Sequence, residues 1–278
     1  MEVIQRAEAF NALQKNKIIL TGGKVDFSNS KFIFHGENNL VYIYNPTGCQ
    51  IQLVNTVVNF FGNNSLLFID AGKFKYTFDL QLFHNSVCHI GANSYFNPYG
   101  EIIRFRCAEE KNIFVGDDCM FSTDIDVNTS DSHLIFDCNT LQRVNYAKSI
   151  YIGDHVWLGK MAAVLKGSQI GSGAIVGTRS IITKKIPSNT SWAGSPAKKR
   201  GENVFFVGYN AQPYKKEDIE LHSTYQSDRW VFAESEDAIS FEQIENDLNN
   251  LENPEDKANY LLELDKNKKK NRFFIPLQ

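Results

Sequence analysis

His133 sits in the run Asn128-Thr129-Ser130-Asp131-Ser132-His133-Leu134-Ile135-Phe136-Asp137, an imidazole with a carboxylate before it and another after it. A neutral imidazole can take the proton of a hydroxyl as its oxygen attacks a carbonyl, a contribution of about 10² to 10⁴ in rate. Such a base is oriented by an acceptor on its other ring nitrogen. Asp131, Asp137, Asp124 and Asp126 are all near enough in sequence to supply one. Downstream, Lys184, Lys185, Lys198 and Arg200 form a basic cluster that suits a phosphorylated ligand or, equally, a solvated surface.

The elements that must position these groups are written in a six-residue period. Ile152, Leu158, Val164, Ile170, Val176 and Ile182 recur at every sixth position, and Gly153, Gly159, Gly171 and Gly177 directly follow four of them. Val156, Ala162, Ser168, Ala174, Ser180 and Ile186 fall four places later, small in four cases of six. A helix repeats at 3.6 and a strand face at 2, so a strict six means a short strand plus a turn, reused. One such unit cannot bury its own aliphatic side chain. Three of them close a triangular coil whose side chains the next coil covers, so the pattern predicts a parallel β-helix of several capped coils. Upstream the pattern is worn: Phe61-Gly62, Ile90-Gly91, Val115-Gly116 and an earlier His35-Gly36 read as irregular coils with insertions.

Residues 150–200, and above all the ending Ile181-Ile-Thr-Lys-Lys-Ile-Pro-Ser-Asn-Thr-Ser-Trp-Ala-Gly-Ser-Pro-Ala-Lys198, resemble the C-terminal coils of the hexapeptide-repeat acyltransferases. The Ser-Asp-x-His segment ending at His133 resembles that of the polysaccharide and sialate O-acetyltransferases of this superfamily. The resemblance implies a mainly β, left-handed parallel β-helix, a homotrimer, and acetyl-CoA as co-substrate with no metal. It implies His133 as general base, ranks Asp131 and Asp137 first as its orienting groups, and makes Trp157 a wall of the active site. An acetyl-CoA groove is expected at Gly159, Ala174 and Gly177, whose small side chains let a ligand approach the backbone, and the resemblance puts Thr183, Lys184, Lys185, Lys198 and Arg200 toward the phosphates. A backbone N–H in the coil of Gly159 is the expected oxyanion donor. The acceptor is expected to be a sugar hydroxyl of a surface glycan.

The rest of the chain sets bounds. It has 278 residues, 42% hydrophobic, with a formal net charge of −3 and no basic stripe, which disfavours nucleic acid. Residues 1–16 read as a helical cap, neither a signal peptide nor a membrane span, and the protein as cytoplasmic. The β-helix is expected over 17–203, with an excursion at about 128–149. A helical extension follows over 204–278, with helices at Phe241 to Leu251 and from Pro254 to Lys266. Five cysteines without a C-x-x-C pair read as reduced, small buried side chains. Two other functional classes compete. His84 and His89 have the H-x-x-x-x-H spacing of a γ-carbonic-anhydrase-like zinc enzyme, and the coil could equally be a non-catalytic scaffold or carbohydrate-binding prism. Gly153 to Met161 lacks the Ser/Thr of a P-loop, and no G-x-S-x-G is present for a serine hydrolase.

Overall fold

In the computed structural model, which describes residues 1–100 and 102–277, the six-residue period becomes the walls of a three-sided parallel β-helix. The first wall includes Lys31–Phe34, Val57–Phe60, Phe78–Leu82, Ile103–Cys107, Asp126–Asn128, Ala163–Leu165 and Ile181–Ile182. The second includes Lys17–Leu20, Val87–Ile90, Ile113–Val115, Ile150–Ile152, Gln169–Ile170 and Lys185–Ile186. Tyr95–Phe96, Met120–Phe121, Trp157–Leu158, Ile175–Val176 and Thr190–Ala193 make the third.

Because alternate side chains of a strand point to opposite faces, a two-residue strand turns one residue inward and one outward. Stacking then aligns the inward residues: Val127 on Val164 on Ile182, Ile152 on Ile170 on Ile186, and Leu158 on Val176 on Trp192. All six of the sixfold aliphatics are buried in one core, each worth roughly 1.5–3 kcal/mol. Val156, Ala162, Ser168, Ala174 and Ser180 are buried too, at the corners, where little room is left. The Ser168 hydroxyl donates to the Leu165 carbonyl at 2.6 Å and Ser180 Oγ accepts the Gly194 N–H at 3.1 Å, so neither is left unsatisfied.

The N-terminal coils are larger. Phe34, Phe60, Leu82 and Cys107 stack in register although 26, 22 and 25 residues separate them, against 18 from Val164 to Ile182. The worn Gly motifs form two series, not one. Gly36 packs on Gly62 at the corner between the first and second walls, while Gly91 packs on Gly116, and Gly116 on Gly153, at the corner between the second and third.

Residues 1–16 are not a helix. Glu2–Ile4 pairs antiparallel with Lys31–Phe34 and shields that edge of the first wall, and Ala7–Ala12 is a 3-10 turn without a side-chain cap. Ala9, Phe10 and Leu13 close the core end, so docking on the prism outweighs local helical propensity. At the other end, Lys198–Glu202 pairs antiparallel with Thr190–Ala193.

The C-terminal segment contains α1 (Lys216–Leu221), α2 (Phe241–Asn249) and α3 (Pro254–Lys266). Ser240 and Asn253 cap the second and third, each accepting a backbone N–H, and Pro254 opens α3. These helices cover the second wall, whose outward side chains form an aromatic ladder, Tyr42, Phe68, His89, Phe114 and Tyr151. Phe241, Ile244, Leu248, Leu261 and Phe273 bury it. An ionic network fixes the segment at the next corner. The Arg272 guanidinium, 1% exposed, grips Asp154 with two bonds of 2.9 and 2.8 Å, and Lys268 pairs with Asp70 and Asp117. Asp265 lies 2.9 Å from His89 Nε2. Burial pushes the Asp70 carboxyl up to about 6, despite the Lys268 ammonium beside it.

Candidate active site

The chain leaves the prism after Asp126–Asn128 of the first wall and returns at Ile150–Ile152 of the second, and the excursion between them carries His133. Its outer part is a small hairpin. Phe136 bridges Arg143 antiparallel, Val144 donates to the Ile135 carbonyl at 3.0 Å, and Asp137 Oδ1 accepts from the backbone of Asn139 and Thr140 to make the tip. Buried Asn145 ties its base. The amide donates to the His133 carbonyl at 2.7 Å and to Asp131 at 3.0 Å, and accepts the Ile135 N–H at 2.9 Å. Lys166 pairs with Asp131, and Arg143 with Glu109 at 2.7 Å. The hairpin is therefore anchored to the coil below and the coil above at one corner. Asn145, Lys166, Arg143 and Glu109 lie outside the recognised motif, and no sequence spacing marks them.

His133 is exposed, and within the chain its ring has no hydrogen-bond partner among the described residues. Neither ranked aspartate orients it. Asp131 is committed to Lys166 and Asn145, which hold its carboxyl below the usual range, and Asp137 is spent on the hairpin tip. Asp124 and Asp126 face the Arg104 and Arg106 guanidinium groups at 3.6 and 3.3 Å. Cys138, expected to be a buried small side chain, is exposed on the hairpin, whereas Cys88, Cys107 and Cys119 are buried.

Trp157 stands half-buried on the outward side of the third wall, in register between Met120 and Ile175. Phe206, from the segment that follows the prism, packs 5.7 Å from it at a tilt. Behind Phe206 is His155, stacked at 4.0 Å on that ring and at 3.5 Å on Trp230, with Nε2 donating to the Phe206 carbonyl at 2.9 Å. Burial lowers its pKa to about 4, so the ring is neutral. Its backbone φ is +54°, a conformation unfavourable by about 1–2 kcal/mol for a side chain of this kind. Phe206 and Trp230 were not foreseen; the only sequence signal is a few large aromatics in an otherwise polar tail.

The donor groove expected at Gly159, Ala174 and Gly177 is not formed as anticipated. A Cβ on Gly159 would lie 2.6 Å from Thr178 N, so coil stacking demands this glycine whatever binds there. Ala174 is fully buried in the prism core and cannot line a groove; its inward position follows from the six-residue phase. Gly177 has its N–H bonded to the Trp192 carbonyl at 2.8 Å. The N–H groups of Trp157, Gly159 and Met161 are likewise taken, by the carbonyls of Ala174, Val176 and Thr123, so none of the three can serve an oxyanion. The basic cluster divides. Lys185 turns to the second wall and pairs with Glu242 of α2 at 3.4 Å. Lys184 lies over the Trp192 ring at 4.9 Å, and Thr183, Lys198 and Arg200 are exposed at the C-terminal end of the prism.

The histidine pair at 84 and 89 does not converge. His84 is exposed and accepts the Asn63 N–H at 3.2 Å, whereas His89 is buried with Nδ1 on the Val115 carbonyl and Nε2 on Asp265, each at 2.9 Å. With both nitrogens engaged, His89 has no lone pair for zinc.

No family model matches the chain. Over 107 residues it is 34% identical to a polysialic acid O-acetyltransferase of Escherichia coli O1:K1, covering 38% of this chain and 34% of that protein. Over 132 residues it is 34% identical to the polysialic acid O-acetyltransferase of Neisseria meningitidis, covering 48% and 58%. A galactoside O-acetyltransferase of Lactococcus lactis is 32% identical over 108 residues, covering 39% and 49%. These matches thus span from about a third to somewhat over half of the relatives' own length. In structure the chain is similar to the polySia-specific acetyltransferase NeuO, with a TM-score of 0.57 and 27% identity over 75% of this chain and 91% of that one. The polysialic acid O-acetyltransferase OatWY gives 0.56 and 26%, over 76% and 96%. The chain is thus similar in sequence to polysialic acid and galactoside O-acetyltransferases, and its fold is the left-handed parallel β-helix of the hexapeptide-repeat acetyltransferases.

Proposed function

We propose that this protein transfers an acetyl group from acetyl-CoA to a hydroxyl of a cell-surface glycan, as a cytoplasmic homotrimer whose sites lie between neighbouring chains. The observation that carries this reading is the separation of the two candidate groups. The excursion of His133 leaves the corner between the first and second walls, and Trp157 stands on the third, so in a three-sided prism they face away from each other. They meet if the hairpin of one chain reaches the third wall of the next, a heterologous contact that closes as a ring. The bare apolar side of the hairpin supports it: Leu134, Ile135, Phe136 and Leu141 are 52–78% exposed, a patch that needs a partner.

In that arrangement the His133 imidazole takes the acceptor's hydroxyl proton while the sugar oxygen bonds to the thioester carbon. The C–S bond then breaks, and the imidazolium returns the proton to the departing sulfur. The acetyl group arrives activated, so no covalent enzyme intermediate is required. In this reading Trp157, backed by Phe206, walls the site, and the exposed Lys184, Lys198 and Arg200 meet the CoA phosphates. Thiol release from acetyl-CoA, assayed across free and polymeric sugars including sialosides and galactosides, tests the reading. Turnover with one of them is the expected result, and a chain that releases thiol with none, while binding sugar, is a carbohydrate-binding prism instead.

A further inference from the structure

A second aromatic ladder runs along the prism, and nothing among the described residues covers it. The residues that follow Phe34, Phe60 and Leu82 on the first wall are His35, Phe61 and Phe83, whose rings stack at 4.9 and 5.4 Å. The comparable ladder on the second wall is buried under α2, α3 and Phe273, whereas Phe61 remains 42% exposed. The next residue of the file, after Cys107, is Ala108. Where a fourth ring would stand there is a groove of about 580 Å³, walled by Phe83 and His84, with Arg106 and Asn128 on one side, the Glu109 and Glu110 carboxylates next to Ala108, and Ser132 at its far end. Ser132 is the neighbour of His133. The ladder therefore leads, along the corner from which the hairpin springs, to the residue preceding the proposed base.

We infer that the ladder and groove bind the chain of an extended acceptor glycan, in a stretch that carries no charge. This rests on the acetyltransferase reading. A pyranose has apolar C–H faces and a rim of hydroxyls, so flat aromatic rings followed by amide, guanidinium, carboxylate and hydroxyl groups match it better than they match an apolar helix. Electrostatics select the class. The cations bordering the track are already paired: Lys15 with Glu37, Arg104 with Asp124, Arg106 with Asp126, Arg143 with Glu109 and Lys166 with Asp131. A polyanion such as polysialic acid would find no free row of charge here.

Affinity electrophoresis separates this claim from catalysis. Wild type, Phe61→Ala and His133→Ala run through gels containing dextran, mannan, galactan or polysialic acid. Wild type and His133→Ala should be retarded alike by at least one neutral polymer, with the retardation cut at least threefold in Phe61→Ala, while the elution volume of Phe61→Ala on size exclusion is unchanged. Equal retardation of the three proteins, retardation by polysialic acid alone, or none in any gel overturns the inference whatever the thiol-release assay shows. So does a smaller assembly for Phe61→Ala, which would make the ladder a contact between copies. If the gels behave as expected but wild type acetylates nothing, the acetyltransferase reading fails and the glycan track stands.

Discussion

Within one chain the imidazole of His133 and the indole of Trp157 lie on opposite sides of the prism, the first on an excursion from one corner and the second on the wall facing away from it. A site that needs both must be completed by a second copy.

That relationship has a genetic consequence. His133→Ala and Trp157→Ala should each lose at least 100-fold in kcat, with CoA binding nearly intact in the first. If the sites lie between copies as proposed, mixed assemblies made by coexpressing the two variants should regain a sizeable fraction of wild-type turnover, because some interfaces then carry both intact groups. No recovery in the mixture would place each site within a single chain, and a His133→Ala rate above a tenth of wild type would remove His133 from the mechanism.

The two adjacent lysines should separate. Lys184 lies over the Trp192 ring and forms no ion pair among the described residues, whereas Lys185 pairs with Glu242 on the covered wall. Lys184→Ala is expected to weaken CoA binding several-fold while leaving dephospho-CoA unaffected, and Lys185→Ala to change neither. Calorimetric titration of both ligands reads this directly, and an equal effect of the two substitutions on CoA would contradict the geometry.

His155 makes stability depend on pH. Its folded pKa, about 4, lies below the ordinary 6.5, so between these values the unfolded chain binds the extra proton. Stability from this group is whole above about pH 6.5 and falls as the pH drops toward 4, by about 2–3 kcal/mol. His155→Asn keeps a side chain tolerated at positive φ but removes the titration. Its Tm should vary less than that of wild type between pH 7 and 4.5, and parallel pH curves would show that other groups govern the window.

Arg272 holds the C-terminal segment to the prism. Arg272→Met leaves Asp154 without its bidentate partner and Asp117 and Asp265 with a missing neighbour, an unpaired burial of about 3–5 kcal/mol. Urea titration should show that loss, and limited proteolysis should release residues 204–277 first. A variant as stable and as resistant as wild type would mean that the aromatic packing under α2 and α3 suffices.

How much of this was readable from the residues differs between elements. The inward file from Ile152 to Ile182 was legible because a buried aliphatic in a two-residue strand leaves no freedom of phase. Both C-terminal helices were legible for a similar reason: Ser240, Asn253 and Pro254 carry local capping chemistry. The early coils were harder, since Phe34, Phe60, Leu82 and Cys107 stack across unequal insertions that no fixed period records. A small side chain suggests a groove position for Ala174, but its place in the six-residue phase points it inward. The role of Asp131 was out of reach, because its partners Lys166 and Asn145 lie in another coil and across the hairpin, whereas Asp137 is held locally by Asn139 and Thr140.

By itself, then, the sequence determined that the chain coils, where the coils are regular, and which histidine stands in the family's motif, since each of these is a matter of spacing along the chain. Tertiary structure alone decided which wall is covered, which lysine is already paired, that His89 is sealed against Asp265, and that His133 and Trp157 face apart. Those are contacts between residues tens to hundreds of positions away, fixed by how unequal coils come into register and by where the C-terminal segment docks.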